Sequence, residues 1–189
     1  MIRKITILSG LLLFLPFPAA AGEVEKSAVD YNRGVYTVEF AGRVTAGAAD
    51  VYRLVTDHDH LYLLNDMILE SRLLPRTGAP EQQRLVVLHV CILFFCRNMK
   101  VVESLREGGS GELIAVVVPV ASDFESGRTV WRVTPEGASH SRFRMHSMFR
   151  PGFWVPPVIG PLLIRKKMEQ ELSVMMTRLE QYAGTVPGR

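Results

Sequence analysis

Two cysteines in 189 residues exclude a miniprotein stapled by disulfides. Charge of one sign is also lacking, with 22 Lys and Arg against 19 Asp and Glu. With no basic tract and no RNA-stacking signature, nucleic acid is excluded as a partner class. No apolar run reaches the roughly 20 residues that a spanning helix needs; the first, Ile5 to Phe17, has 13. Glycine and proline, at 15 and 11 residues, are too few for collagen or for long disorder. Internal repeats and interdomain linkers are absent, so the length predicts one domain.

What is present begins with an address. Arg3 and Lys4 precede the apolar run, and Pro18 and Ala19-Ala20-Ala21 follow it. Basic start, apolar middle and small residues at the end are the parts of a secretory signal. An uncleaved membrane anchor is the competing reading, opposed by the run's length and its two terminal prolines. Cleavage after Ala21 is expected, and no cysteine follows it to carry a lipid. Losing Arg3 and Lys4 lowers the formal net charge from +3 to +1, so the pI near 9 says little about partners. Export places Cys91 and Cys96 in a compartment that permits a disulfide.

Residues 22–33 are polar and read as a loose leader; 185–189 read as a tail, with one domain over 34–184. From Gly34 to Val44, Tyr36, Val38, Phe40 and Val44 alternate with Thr37, Glu39 and Arg43, the pattern of a half-buried strand. Ala48 to Asp57 reads as a short helix, and Leu61 to Asn65 as a further turn. Strand-like runs follow at 67–74, 83–93, 98–106, 112–119, 128–135 and 139–149. Their separators, including 77–80, 108–111, 123–127 and 135–137, are rich in turn residues, which predicts an antiparallel meander. In the last segment Ile164, Met168, Leu172, Met175, Leu179 and Tyr182 form one stripe of a long amphipathic helix. The predicted class is α+β: about seven antiparallel strands curved around that helix, with two short helices after the first strand.

This order resembles the START-like, or birch-pollen-allergen-like, helix-grip superfamily. Within it the chain is similar to bacterial polyketide-cyclase and coenzyme-Q-binding START-like (SRPBCC) proteins. The resemblance lies in Tyr36-Thr-Val-Glu-Phe40, the helix Ala48 to Asp57, the strand Thr129-Val-Trp-Arg-Val133 and the helix Leu162 to Ala183. It implies a cavity between sheet and long helix that accepts hydrophobic molecules, and it implies a bacterium, hence a periplasmic destination for the exported chain.

On the last strand Phe143, Met145, Ser147 and Phe149 share one face, and His140, Arg142, Arg144, His146 and Arg150 the other. Trp131, Val133, Phe143, Met145 and Phe149, facing Met168, Leu172 and Met175, are the candidate cavity wall; a plain packed core is the alternative. Cys91 and Cys96 bracket Ile92-Leu-Phe-Phe95 at a hairpin end and are the candidate disulfide. The resemblance implies that this hairpin and Pro151 to Leu162 meet at the cavity mouth. Phe94, Phe95, Phe153 and Trp154 would then form an apolar rim, with Arg150, Arg165, Lys166 and Lys167 adding charge suited to an anionic membrane. A self-packed loop with a solvated basic helix face competes.

Thr56-Asp-His-Asp-His60 makes a poor tetrahedral set, so no metal is assigned. No nucleophile elbow, phosphate loop or H-E-x-x-H appears. Glu70, Arg72, His89 and Glu103 are candidates for acid or base work only if they point inward, and mixed apolar faces hide their register. No catalytic residue and no cofactor are assigned. The expectation is an exported binding protein for a lipid, isoprenoid, quinone or polycyclic compound, with peripheral membrane contact. A cyclase or aromatase using the same cavity, or an interaction module with a filled cavity, are the alternatives.

Overall fold

Period-two alternation sets the first predicted strand. In β2 (Val35–Val44), Tyr36, Val38, Phe40 and Val44 are buried, and Thr37, Glu39 and Arg43 lie on the other face. The computed structural model describes residues 22–76, 78, 81–92, 95–109, 111–156 and 159–183, the side chains of residues 92 and 95 excepted. The signal-like segment 1–21, Phe94 and the tail 185–189 lie outside the described residues. One antiparallel sheet holds β1 (Glu23–Asn32), β2, β3 (Ile68–Leu73), β4 (Gln82–Ile92), β5 (Phe95–Gly108), β6 (Glu112–Val117), β7 (Phe124–Pro135) and β8 (Ser141–Pro151). Their order is β1-β2-β8-β7-β6-β5-β4-β3. The chain crosses from β2 to the far edge through α1 (Ala48–Val55) and a 3-10 turn at Leu61–Leu63. After β8, α2 (Gly160–Tyr182) returns over the sheet and packs on β1, β2, β4 and α1. This is the α+β helix-grip architecture, with one strand more than the sequence pattern predicts.

The extra strand corrects the leader reading of 22–33. Only Val29 of β1 is buried, so no apolar alternation marks it. Its backbone is held by the ladder to β2, from Glu23↔Arg43 to Asn32↔Val35. Charge pairs reinforce it: Lys26 meets Glu39, and Arg142 reaches Glu25 at 3.0 Å. The turn between β1 and β2 puts both Arg33 and Gly34 at positive φ, 48° and 88°, the backbone that tight hairpins require.

Two boundaries also move. Of residues 123–127, expected as a separator, 124–127 open β7 instead. Asp123 takes backbone N–H donors from Lys100 (2.7 Å, to Oδ2) and Gly152 (2.9 Å, to its carbonyl), and buried Phe124 follows it. The turn falls earlier, at Pro119–Ala121. The β4–β5 ladder runs past its expected end through Cys91↔Cys96 to Ile92↔Phe95.

Gly111 closes the β5–β6 turn at φ +75°, and a Cβ there would lie 2.6 Å from the Val133 carbonyl oxygen. That carbonyl belongs to β7 and cannot swing away. Gly111→Ala is expected to lower unfolding free energy by about 1–3 kcal/mol, read as an earlier urea midpoint. A midpoint unchanged from the parent would show that the turn is free to rearrange.

Candidate functional site

The predicted stripe faces the sheet, but α2 does not sit evenly on it. Toward its C-terminal end Leu172, Met175, Met176 and Leu179 are buried, whereas Ile164 and Met168 nearer its start are only half-buried. Glu180 accepts the Thr45 N–H, and Met176 lies against Gly42. The helix therefore clamps over the Val44 end of β2 and is less deeply buried along its N-terminal half.

On the sheet, Trp131, Met145, Ser147 and Phe149 are likewise half-buried, although β7 and β8 turn them inward. Val133 and Phe143, opposite one another in the ladder, are buried. Leu88 and Val90 of β4 add two more half-buried apolar side chains. The expected wall residues therefore share the concave face: Val133, Phe143, Leu172 and Met175 in its sealed part, Trp131, Met145, Phe149 and Met168 in an apolar trough. Two open clefts of about 440 and 470 Å³ lie elsewhere, one between α1 and the β5–β6 turn and one beside Pro119–Ala121. Only Val133 of the expected wall borders either.

At one end of the trough aromatic rings follow one another. Tyr36 stacks on Phe149 at 5.2 Å between centroids, and Phe124 meets Phe149 edge-on at 5.9 Å and Phe153 at 6.0 Å. The Arg97 guanidinium carbon lies 5.0 Å from the centre of the Phe153 ring. This contact brings the β4–β5 hairpin and the segment before α2 to the same end, the site expected for the mouth. Phe153 itself is half-buried among these rings, so it lines the interior and does not stand on the rim. Trp154 does, at 79% exposure, joined by Ile159 at 53% and Leu162 at 67%. Arg165 and Lys166 are exposed next to them, Arg165 pairing with Glu169 at 3.0 Å. Cys91 and Cys96 form a disulfide with their Cα atoms 4.0 Å apart.

The interior also holds charge. Arg84, 2% exposed, donates from Nε to Glu103 Oε2 at 2.7 Å, and its guanidinium carbon lies 4.5 Å from the centre of the Trp131 ring. A second guanidinium N–H reaches His58 Nδ1 at 3.3 Å. Nδ1 then accepts, so the neutral imidazole carries its proton on Nε2. Burial, and next the charge of Arg84, push the His58 pKa down from 6.5 to about 4. Of the four ionisable candidates only Glu103 points inward. Glu70 and Arg72 are exposed and pair with each other at 2.8 Å, and exposed His89 bonds Asn98 at 2.6 Å. His58 and His60 part company, His60 turning to Asp57 at 2.9 Å.

A group with a lowered folded pKa adds stability that is complete above its unfolded pKa and lost as pH falls toward the folded one. For His58 that window is pH 6.5 down to about 4. With partial exposure allowed for, about 1–2 kcal/mol is expected to go across it. His58→Gln, whose amide oxygen can still accept from Arg84, should flatten that part of a stability–pH curve. A slope equal to that of the parent protein would assign the loss to other groups.

Four buried polar atoms lack a partner among the described residues, Ser141 Oγ and Arg142 Nε being two of them. The Tyr36 hydroxyl is the third, its pKa pushed up to about 12 by burial and then by Tyr31. The fourth is Glu171 Oε2. Glu171 is 5% exposed, and its other oxygen takes Lys167 Nζ at 2.6 Å. An unmatched buried acceptor costs about 1–3 kcal/mol.

A family model described as polyketide cyclase / dehydrase and lipid transport matches residues 36–184. Among solved structures, a START superfamily protein from Mycobacterium smegmatis superposes with a TM-score of 0.62 at 17% identity, covering 80% of this chain and 99% of that one. The Zhui aromatase/cyclase from Streptomyces sp. R1128 gives 0.61 at 13% identity, over 79% and 94% of the two chains. A STAR-related lipid transfer protein from Xanthomonas axonopodis gives 0.57 at 15%, over 84% and 98%. At these identities the likeness is one of fold. A search of curated protein sequences returns no match.

Proposed function

Because the chain belongs to the polyketide cyclase / dehydrase and lipid transport family, we propose that it is an exported carrier that holds a hydrophobic small molecule in the trough and exchanges it at a membrane. One observation carries the reading: inward-facing Trp131, Met145, Phe149 and Met168 are left half-buried in a fold that buries their neighbours. Covering such surface yields about 25 cal/mol per Å² removed from water. Methionine walls adapt to varied apolar shapes.

Export is supported by the signal-like residues 1–21 and by the Cys91–Cys96 pair, which suits an oxidising compartment such as a bacterial periplasm. Among the described residues no helix is long and apolar enough to cross a membrane. Peripheral contact is supported by Trp154, Ile159 and Leu162, exposed beside Arg165 and Lys166 where the chain enters α2.

The His58–Arg84–Glu103 group favours a second reading, proton transfer to a substrate bound in the same trough, as in a cyclase or aromatase. Binding is tested with the neutral fluorophore N-phenyl-1-naphthylamine. Saturable one-to-one binding, abolished by Met145→Lys plus Met168→Lys, is expected. A linear, non-saturating signal would refute the trough as a binding site.

A further inference from the structure

Glu171 lies where the half-buried part of α2 gives way to the clamped part. It shares a helix face with Ile164 and Met168, seven and three residues before it, and with Met175, four after. The trough residues Ile164 and Met168 are half-buried, and Met175 is buried. Glu171 therefore stands at the closed end of the trough. One carboxylate oxygen is occupied by Lys167, and the other is buried and without a partner among the described residues.

We propose that Glu171 Oε2 accepts a hydrogen bond from the ligand, so that the cargo is an amphiphile with a hydroxyl or ammonium group seated head-first. This rests on the trough reading and adds the ligand's polar end to it. A carboxylate accepts only, so its match is a donor. A fatty-acid headgroup would place like charges together, and the cations beside these groups, Lys167 and Arg84, are already matched to Glu171 and Glu103. The apolar body of the ligand then runs past Met168, Ile164 and Phe149 toward the end marked by Trp154.

The test displaces the naphthylamine fluorophore with four probes of equal chain length: 1-dodecanol, dodecylammonium, dodecyl methyl ether and dodecanoate. Wild-type protein should bind the first two at least about tenfold more tightly than the last two. Glu171→Leu should erase that preference while keeping affinity for the ether. Wild-type binding of all four at equal strength would overturn the role of Glu171 and leave the trough standing. Binding of none would overturn both. A preference that survives in Glu171→Leu would also overturn the assignment. If that variant fails to fold, the wild-type series decides alone.

Discussion

Glu103→Ala is expected to lower the free energy of unfolding by about 3–5 kcal/mol, because removing one partner of a buried ion pair leaves the other charge uncompensated. Arg84 is 2% exposed and Glu103 9%, so water cannot replace the lost carboxylate. His58 Nδ1 and the face of Trp131 also meet the guanidinium, and neither carries a negative charge. Arg84→Met combined with Glu103→Leu should recover most of the loss, since an apolar pair of similar volume carries no desolvation penalty. Urea unfolding of the two variants measures both quantities. A loss under about 1 kcal/mol for Glu103→Ala would place the pair in contact with solvent.

The second large effect concerns membrane contact. Replacing Trp154, Ile159 and Leu162 together by serine is expected to weaken binding to anionic vesicles about 100-fold. Full burial of each such side chain is worth about 1.5–3 kcal/mol, so partial insertion of three supplies roughly 3 kcal/mol, or two decades of affinity. Arg165 and Lys166 would add about 1 kcal/mol each near an anionic surface, and that share should fade as salt is raised. Co-sedimentation with phosphatidylglycerol-containing vesicles is the measurement. Sedimentation of the triple variant equal to that of the parent would contradict docking through this end. Fluorophore binding should be unchanged in the triple variant, because these side chains are exposed and are not among the half-buried wall residues.

Much of the fold was legible because alternation and helical spacing are local. β2 and the stripe on α2 were readable for that reason, as was the inward face of β8. β1 was not, since an edge strand with one buried side chain carries no alternation. The signal it offered was the turn, Arg33-Gly34 beside a strand that needed a partner. The charged interior was hidden for a different reason. In β4, Leu85 and Val86 are both buried although they face opposite ways, so apolar content did not reveal which side Arg84 took. Only the register Arg84↔Glu103 settles it. His58 sat in a polar turn to which no role was assigned, and its partner Arg84 lies 26 residues away in sequence. Glu171 was missed because a single carboxylate between apolar stripe positions looks like a position on the solvent face.

The expected wall residues lie together on the concave face, and the sequence could not separate those sealed in the core from those left half-buried. That distinction depends on how α2 lies on the sheet. It is also what the functional reading depends on.

Native mass spectrometry of the mature protein, purified from its own compartment and followed by solvent extraction, tests that reading most directly. The account expects a mass beginning at Gly22, two hydrogens fewer for the Cys91–Cys96 bond, and a reproducible adduct that extracts as an apolar molecule bearing a hydroxyl or amine. Protein recovered consistently without an adduct, and unable to take one up from a membrane extract, would contradict the claim that the trough carries a hydrophobic ligand.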